Sequence, residues 1–204
     1  IMDMSKHINH NILICAVERN GEITIPSGTF ELHAGDLVSF VGTRKNCSRF
    51  FKSIGFDTHR VDETMIVGGG KAAYYLADQL LRAGISVKII ENNYSRCEEL
   101  SILLPEAIII NGDGTDETLL REEGLATIES FVPLTGIDEE NIMLALHAKQ
   151  VSSAKVITKV NRTTFKTVMA NLDLGSVIYP KYITSETIIS YVRAKQASKD
   201  SNIE

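Results

Sequence analysis

The chain is poor in the residues that staple, chelate or span. Its three cysteines, Cys15, Cys47 and Cys97, fall at no metal-binding spacing. An odd, scattered set is not a disulfide framework and points to reduced thiols in a cytoplasmic protein. The five histidines are equally scattered. His147 reads as a solvated or core-edge side chain on a helix flank. No metal site is expected. No apolar run approaches the ~18 residues of a membrane span. The start, Ile1-Met2-Asp3-Met4-Ser5-Lys6-His7, lacks the apolar segment of a signal peptide. Basic residues are not in excess either. Against 26 Asp and Glu there are 21 Lys and Arg, a formal net charge of −5. That argues against nucleic acid as the main partner.

What remains is a soluble globular composition, 44% hydrophobic and 23% charged. At about 150 residues per domain, 204 residues make one large or two small domains. The charge is uneven: residues 1–60 hold seven basic and six acidic side chains, and the remainder is the acidic part. An anion bound by that part must rely on local backbone dipoles. The chain opens on Ile, with a strand a few residues later, and is expected to be a piece of a longer protein.

The most informative stretch is Thr64-Met65-Ile66-Val67-Gly68-Gly69-Gly70-Lys71-Ala72-Ala73, followed by Val87-Lys88-Ile89-Ile90-Glu91. It reads as a buried strand, a glycine turn, a helix and a second strand ending in an acid, the form of a dinucleotide-binding βαβ unit. Gly68 permits the tight turn. Gly70 lets the backbone approach a pyrophosphate. Ala73, where a third glycine is usual, is small enough for close helix–strand packing. The N–H groups from Gly70 to Ala72 open a helix and favour a phosphate there. A carboxylate at Glu91 suits both ribose hydroxyls and repels a 2′-phosphate.

Before this unit, residues 12–60 read as short β structure. Strands are expected at 12–17, 23–25 and 37–42, with an Asn20-Gly21 hairpin and a helix at about 45–54. Arg44, Lys45, Arg49 and Lys52 read as a solvated face of that helix. From Thr64 strands alternate with helices, so a parallel sheet with crossovers is expected. The strands are 64–68, 86–91, 106–111, 129–134, 155–160 and 175–179. The helices are about 70–83, 94–103, 115–122, 137–150, 162–170 and 183–196. The fold class is therefore α/β, a doubly wound, Rossmann-like parallel sheet (61–204) preceded by a small α+β domain (1–60). A ligand belongs at the carboxyl ends of the strands. Two further strand ends qualify. Asn111-Gly112-Asp113-Gly114-Thr115-Asp116 suits close approach by adenosine, with Thr115 or Asp116 also able to cap a helix. In Pro133-Leu134-Thr135-Gly136-Ile137-Asp138, Asp138 either caps the next helix or lines the pocket.

Three segments together resemble the KTN, or RCK, domain: Val67 to Ala77, Gly112 to Asp116, and Leu134 to Ile142. The segment Asn20 to Gly28, with Ala34-Gly35-Asp36 and Val41-Gly42-Thr43, resembles the RCK C-terminal domain. The resemblance covers about 12–196. Its order, a C-lobe before a Rossmann lobe, is that of the middle of a tandem protein, its first C-lobe plus its second Rossmann lobe. Lys159 stands where the family often has arginine, keeping the charge but losing the planar fork. The resemblance implies a nucleotide site at Gly68, Gly69, Gly70, Lys71, Ala72, Glu91, Asn92, Gly112, Asp113, Thr135 and Lys159. NAD(H) is the implied ligand, with ATP or ADP as alternatives.

The family regulates potassium conductance and transport. The implied function is a cytoplasmic regulatory subunit, peripheral on the inner face of the plasma membrane. Its partners would be a Trk-type potassium transporter membrane subunit and further copies of itself through RCK lobes. A gating domain of a potassium channel or antiporter shares the fold. An NAD-dependent oxidoreductase is the rival class. Only about 25 residues follow the last strand, too few for a substrate domain, and no acid–base pair presents itself, so no catalytic residue is expected. The apolar stripe Ile183, Ile188, Ile189 and Val192 on the last helix packs either on its own domain or on a partner.

Overall fold

Asn20 and Gly21 take positive φ, 52° and 81°, and reverse the chain between β1 (Leu13–Arg19) and β2 (Glu22–Thr24). The computed structural model describes residues 12–56, 60–162, 164, 166–169 and 171–200. The chain divides into two units, Ile1–Arg60 and Val61–Glu204.

In the first unit, β3 (Leu37–Val41) lies on the other side of β1, giving an antiparallel sheet of order β2-β1-β3. The first strand runs on to Arg19 because Arg19 pairs with Glu22 across the turn. Helix α1 (Arg44–Ser53) starts where the Thr43 hydroxyl accepts the Asn46 N–H. Its Phe50 ring sits 5.6 Å from Phe40 and 5.8 Å from Phe51. Aromatic tilting of this kind adds to area burial in a small core. Arg44, Lys45, Arg49 and Lys52 are exposed. The Arg19 guanidinium grips Asp36 through two 2.7 Å hydrogen bonds, while the His33 N–H adds a third at 2.9 Å. Arg19 first, then the His33 amide, holds the Asp36 carboxyl well below the usual range.

The second unit is a six-stranded parallel sheet of order β6-β5-β4-β7-β8-β9. Its strands are β4 (Glu63–Val67), β5 (Ser86–Glu91), β6 (Ile108–Asn111), β7 (Ser130–Pro133), β8 (Lys155–Lys159) and β9 (Ser176–Ile178). Counted within the unit this is the doubly wound order 3-2-1-4-5-6, with its switch point between β4 and β7. Alternation along the strands feeds two cores. Ile66, Val87 and Ile89 pack with Ala73, Ala77 and Leu100 of α2 (Lys71–Arg82) and α3 (Tyr94–Leu103). Met65, Val67 and Ile90 pack with Leu120, Leu144 and Ala148 of α4 (Glu117–Glu122) and α5 (Asp138–Val151). Ala73 is wholly buried, as close helix–strand packing requires.

Several boundaries differ from expectation. The third strand of the unit begins at Ile108, not 106, because the Ala107 N–H turns back to the Leu104 carbonyl. The helix expected from 115 begins at Glu117, because Asp113 accepts the Thr115 N–H in a side-chain turn and Asp116 caps the helix. The helix expected over 162–170 is seen as α6 (Lys166–Met169), while Thr163, Phe165 and Ala170 lie outside the described residues. The last helix, α7, spans Pro180–Asp200, its fixed-φ proline at the first position. No helix among the described residues is long and apolar enough to cross a membrane.

Candidate nucleotide site

The switch point opens into a cavity of about 600 Å³ at the carboxyl ends of β4, β5, β7 and β8. Its floor is the glycine turn. Gly68 has φ +95°, and its N–H donates to the Ile90 carbonyl at 2.8 Å. A Cβ there would stand 3.1 Å from the backbone of Leu134 and Thr135, so both conformation and space demand glycine. Gly70 is different. It is exposed, has ordinary φ, and a Cβ on it would meet nothing within 4 Å. The backbone there is open to whatever enters. Gly70 caps α2 without any side-chain cap, and the first turn carries no acid. The leading N–H groups of α2 thus face the cavity with the positive end of the helix dipole.

Glu91 ends β5 and lines the cavity. Its two oxygens accept the Gly69 N–H at 2.6 Å and the Asn93 N–H at 2.8 Å. The acid therefore fixes the glycine turn while each oxygen keeps a further lone pair. On the opposite wall, Lys159 donates to the Thr135 carbonyl at 2.7 Å. Burial lowers its pKa, against the pull of Asp138. It is the half-buried cation of the cavity. The fully buried Asn141 holds this wall in place: its amide accepts the Thr135 N–H at 2.9 Å and donates to the Lys159 carbonyl at 3.2 Å.

Ten of the eleven expected positions line this one cavity: Gly68, Gly69, Gly70, Lys71, Ala72, Glu91, Asn92, Asp113, Thr135 and Lys159. Gly112 does not. It lies beneath, its N–H on the Glu91 carbonyl, where a Cβ would strike Leu119 at 2.5 Å. Asp138 neither caps nor lines. The cap of α5 is Ile137, and the Asp138 carboxylate turns away to accept the N–H groups of Asn161 and Arg162. Burial works to raise its pKa, but those amides and the Asn161 side chain prevail and lower it. Gly114, Gly136 and Glu140 also line it, with Val67, Thr115, Leu134 and Ile137 beside them. Among the described residues no group of three His, Cys, Asp or Glu is placed to hold a metal ion.

Comparison with known proteins accords with this geometry. The TrkA-N domain matches residues 64–180. The chain belongs to the TrkA-N domain family. The TrkA-C domain matches residues 3–55. Trk system potassium uptake protein TrkA of Vibrio alginolyticus is 33% identical over 195 residues, 93% of this chain and 42% of that protein. The protein of the same name from Haemophilus influenzae is 30% identical over 193 residues, 92% of this chain and 41% of its own length. The chain thus spans about two fifths of the length of these curated relatives. Among solved structures, the GsuK channel bound to NAD superposes with a TM-score of 0.64 at 19% identity, covering 97% of this chain and 35% of that one. The TrkA-N domain of inner membrane protein ybaL from Escherichia coli gives 0.58 at 15%, covering 66% of this chain and 98% of that one. At such identities the likeness is one of fold.

Proposed function

We propose that this chain is a nucleotide-binding regulatory part of a potassium uptake system, with NAD(H) as its ligand and ATP or ADP as the competing candidates. The observation that carries this reading is the open backbone at Gly70 beside Glu91, at the switch point of a TrkA-N sheet. Gly68, Gly69, Gly70, Lys71 and Ala72 would cradle the phosphates. Glu91, with Asn92 and Asp113, would receive the adenosine end, and Thr135 and Lys159 the other. The 1–60 and 61–204 units act as a TrkA-C-type and a nucleotide-binding domain.

The membrane partner is a Trk-type potassium transporter subunit, reached from the inner face of the plasma membrane through protein contacts. Regulation follows from differential affinity: a nucleotide shifts the transporter only insofar as it binds one arrangement of paired lobes more tightly. The relatives' name, potassium uptake protein, supports this over a dehydrogenase. Titration calorimetry with NADH, NAD, ATP and ADP tests the site. Binding of NADH supports the reading, binding of ATP alone moves the ligand, and no binding at millimolar ligand removes the site. Co-purification of the full-length protein with a potassium transporter membrane subunit tests the partner.

A further inference from the structure

The buried residue Gly69 has both of its peptide groups gripped from outside the glycine turn. Its N–H donates to Glu91 at 2.6 Å. Its carbonyl accepts the Arg96 Nε–H at 2.7 Å, from a residue 27 positions along the chain. Arg96 is itself well fixed. Its backbone N–H is taken by Asn93, the cap of α3, and its Nη1 lies 2.5 Å from Glu99. The Gly69–Gly70 peptide is trans, like every other described here. In a trans peptide the C=O and N–H point to opposite sides. Holding the Gly69 carbonyl on Arg96 therefore turns the Gly70 N–H the other way, and no described group bonds that N–H. Between two glycines a flip of this peptide has no Cβ to oppose it. A flip would present a carbonyl oxygen, not a donor, to a phosphate.

We propose that Arg96 is a positioning residue of the nucleotide site. It fixes the Gly69–Gly70 peptide in the orientation that offers the Gly70 N–H to a bound phosphate. This rests on the nucleotide reading above. Arg96 does not line the cavity, so its effect on a ligand passes through the Gly69 carbonyl.

The test compares the whole chain with R96M, R96K and E99Q, using calorimetry and the amide resonance of Gly70. R96M keeps the length but loses the donor. It should bind NADH and ADP at least about tenfold more weakly, the worth of a charge-assisted hydrogen bond. Its Gly70 amide should lose the shift that ligand induces in the wild type. R96K, still able to donate to the Gly69 carbonyl, should recover part of the affinity. E99Q breaks the ion pair but spares that bond, and should bind as wild type does. Adenosine, which has no phosphate, should bind R96M and wild type alike, a split that mere loss of folding does not produce. Equal NADH affinity and an equal Gly70 shift in R96M would overturn the proposal and leave the site standing. An E99Q loss as large as that of R96M would also overturn it, by tracing the effect to the ion pair. A wild type that binds no nucleotide overturns the site, and this inference with it.

Discussion

The Glu91 carboxylate and the Gly69 amide, 22 residues apart in sequence, meet at 2.6 Å. The end of one strand thereby sets the turn that follows its neighbour. Glu91 accepts a second amide, that of Asn93, at 2.8 Å. Glutamine offers one carbonyl oxygen and a donor, so E91Q must leave one of these N–H groups facing a donor. The expected cost is about 1–3 kcal/mol of stability. Calorimetry should also show the NADH-over-NADPH preference narrow by about 1–2 kcal/mol, because the charge that the proposed site sets against a 2′-phosphate is gone. Unchanged unfolding would show that the carboxylate does not hold the turn. An unchanged ratio would show that it does not face the ribose.

The glycines at 68 and 70 should separate stability from binding. G68A places a side chain at φ +95° against the Leu134 backbone and should cost about 1–2 kcal/mol in urea unfolding. G70A meets open space at an ordinary φ, so its stability should stay within about 0.5 kcal/mol of wild type. Its methyl group stands where the proposed site would take the phosphates, and should weaken NADH binding markedly. If G70A binds as tightly as wild type, phosphates do not approach that backbone.

Acid should loosen the first unit through Asp36. Arg19 and the His33 amide lower the pKa of this carboxyl in the fold. The folded form then binds its proton less readily than the unfolded one. Its stabilisation is fully present above the ordinary value of about 4 and is lost as pH falls below it. R19M removes the chief partner. It should lower stability at neutral pH and flatten the acid limb, followed by the ring resonances of Phe40 and Phe50. An acid limb unchanged in R19M would assign the slope to other carboxylates.

The fold was largely legible because its signals are local. The Asn20-Gly21 turn, the glycine triplet and the alternation of Ile66, Ile89 and Val87 with Met65 and Ile90 each lie within a short window. Ten positions of the cavity were legible for the same reason: they follow strands whose ends converge in this topology. What was not legible depends on contacts made at a distance with backbone. Nothing in the sequence pairs Arg96 with the Gly69 carbonyl, or Asn141 with Thr135 and Lys159. Asp138 sits where a cap or a pocket-lining acid is expected, yet its carboxylate serves the loop after β8. Gly112 carries a motif glycine's signature for a packing reason, its neighbour Leu119.

The apolar stripe of α7 leads to the last prediction. Ile183, Ile188, Ile189 and Val192 are 51%, 58%, 41% and 47% exposed, so they do not pack on the described part of their own unit. Ile188 and Val192 are four apart and Ile189 and Val192 three, which sets them on one helix face. A second copy brings the same stripe, and two-fold pairing of like helices covers both at once. Regulation by paired lobes also requires at least two of them, since a single lobe has nothing to move against. Light scattering should therefore report at least a dimer. Replacing Ile188 and Ile189 together by aspartate puts unpaired charge where the pairing would bury it, and should shift the chain toward monomer while leaving the glycine-turn cavity able to bind nucleotide. A wild-type chain that stays monomeric at high concentration would remove the assembly from this reading. A double variant that dimerises as well as wild type would move the interface off α7.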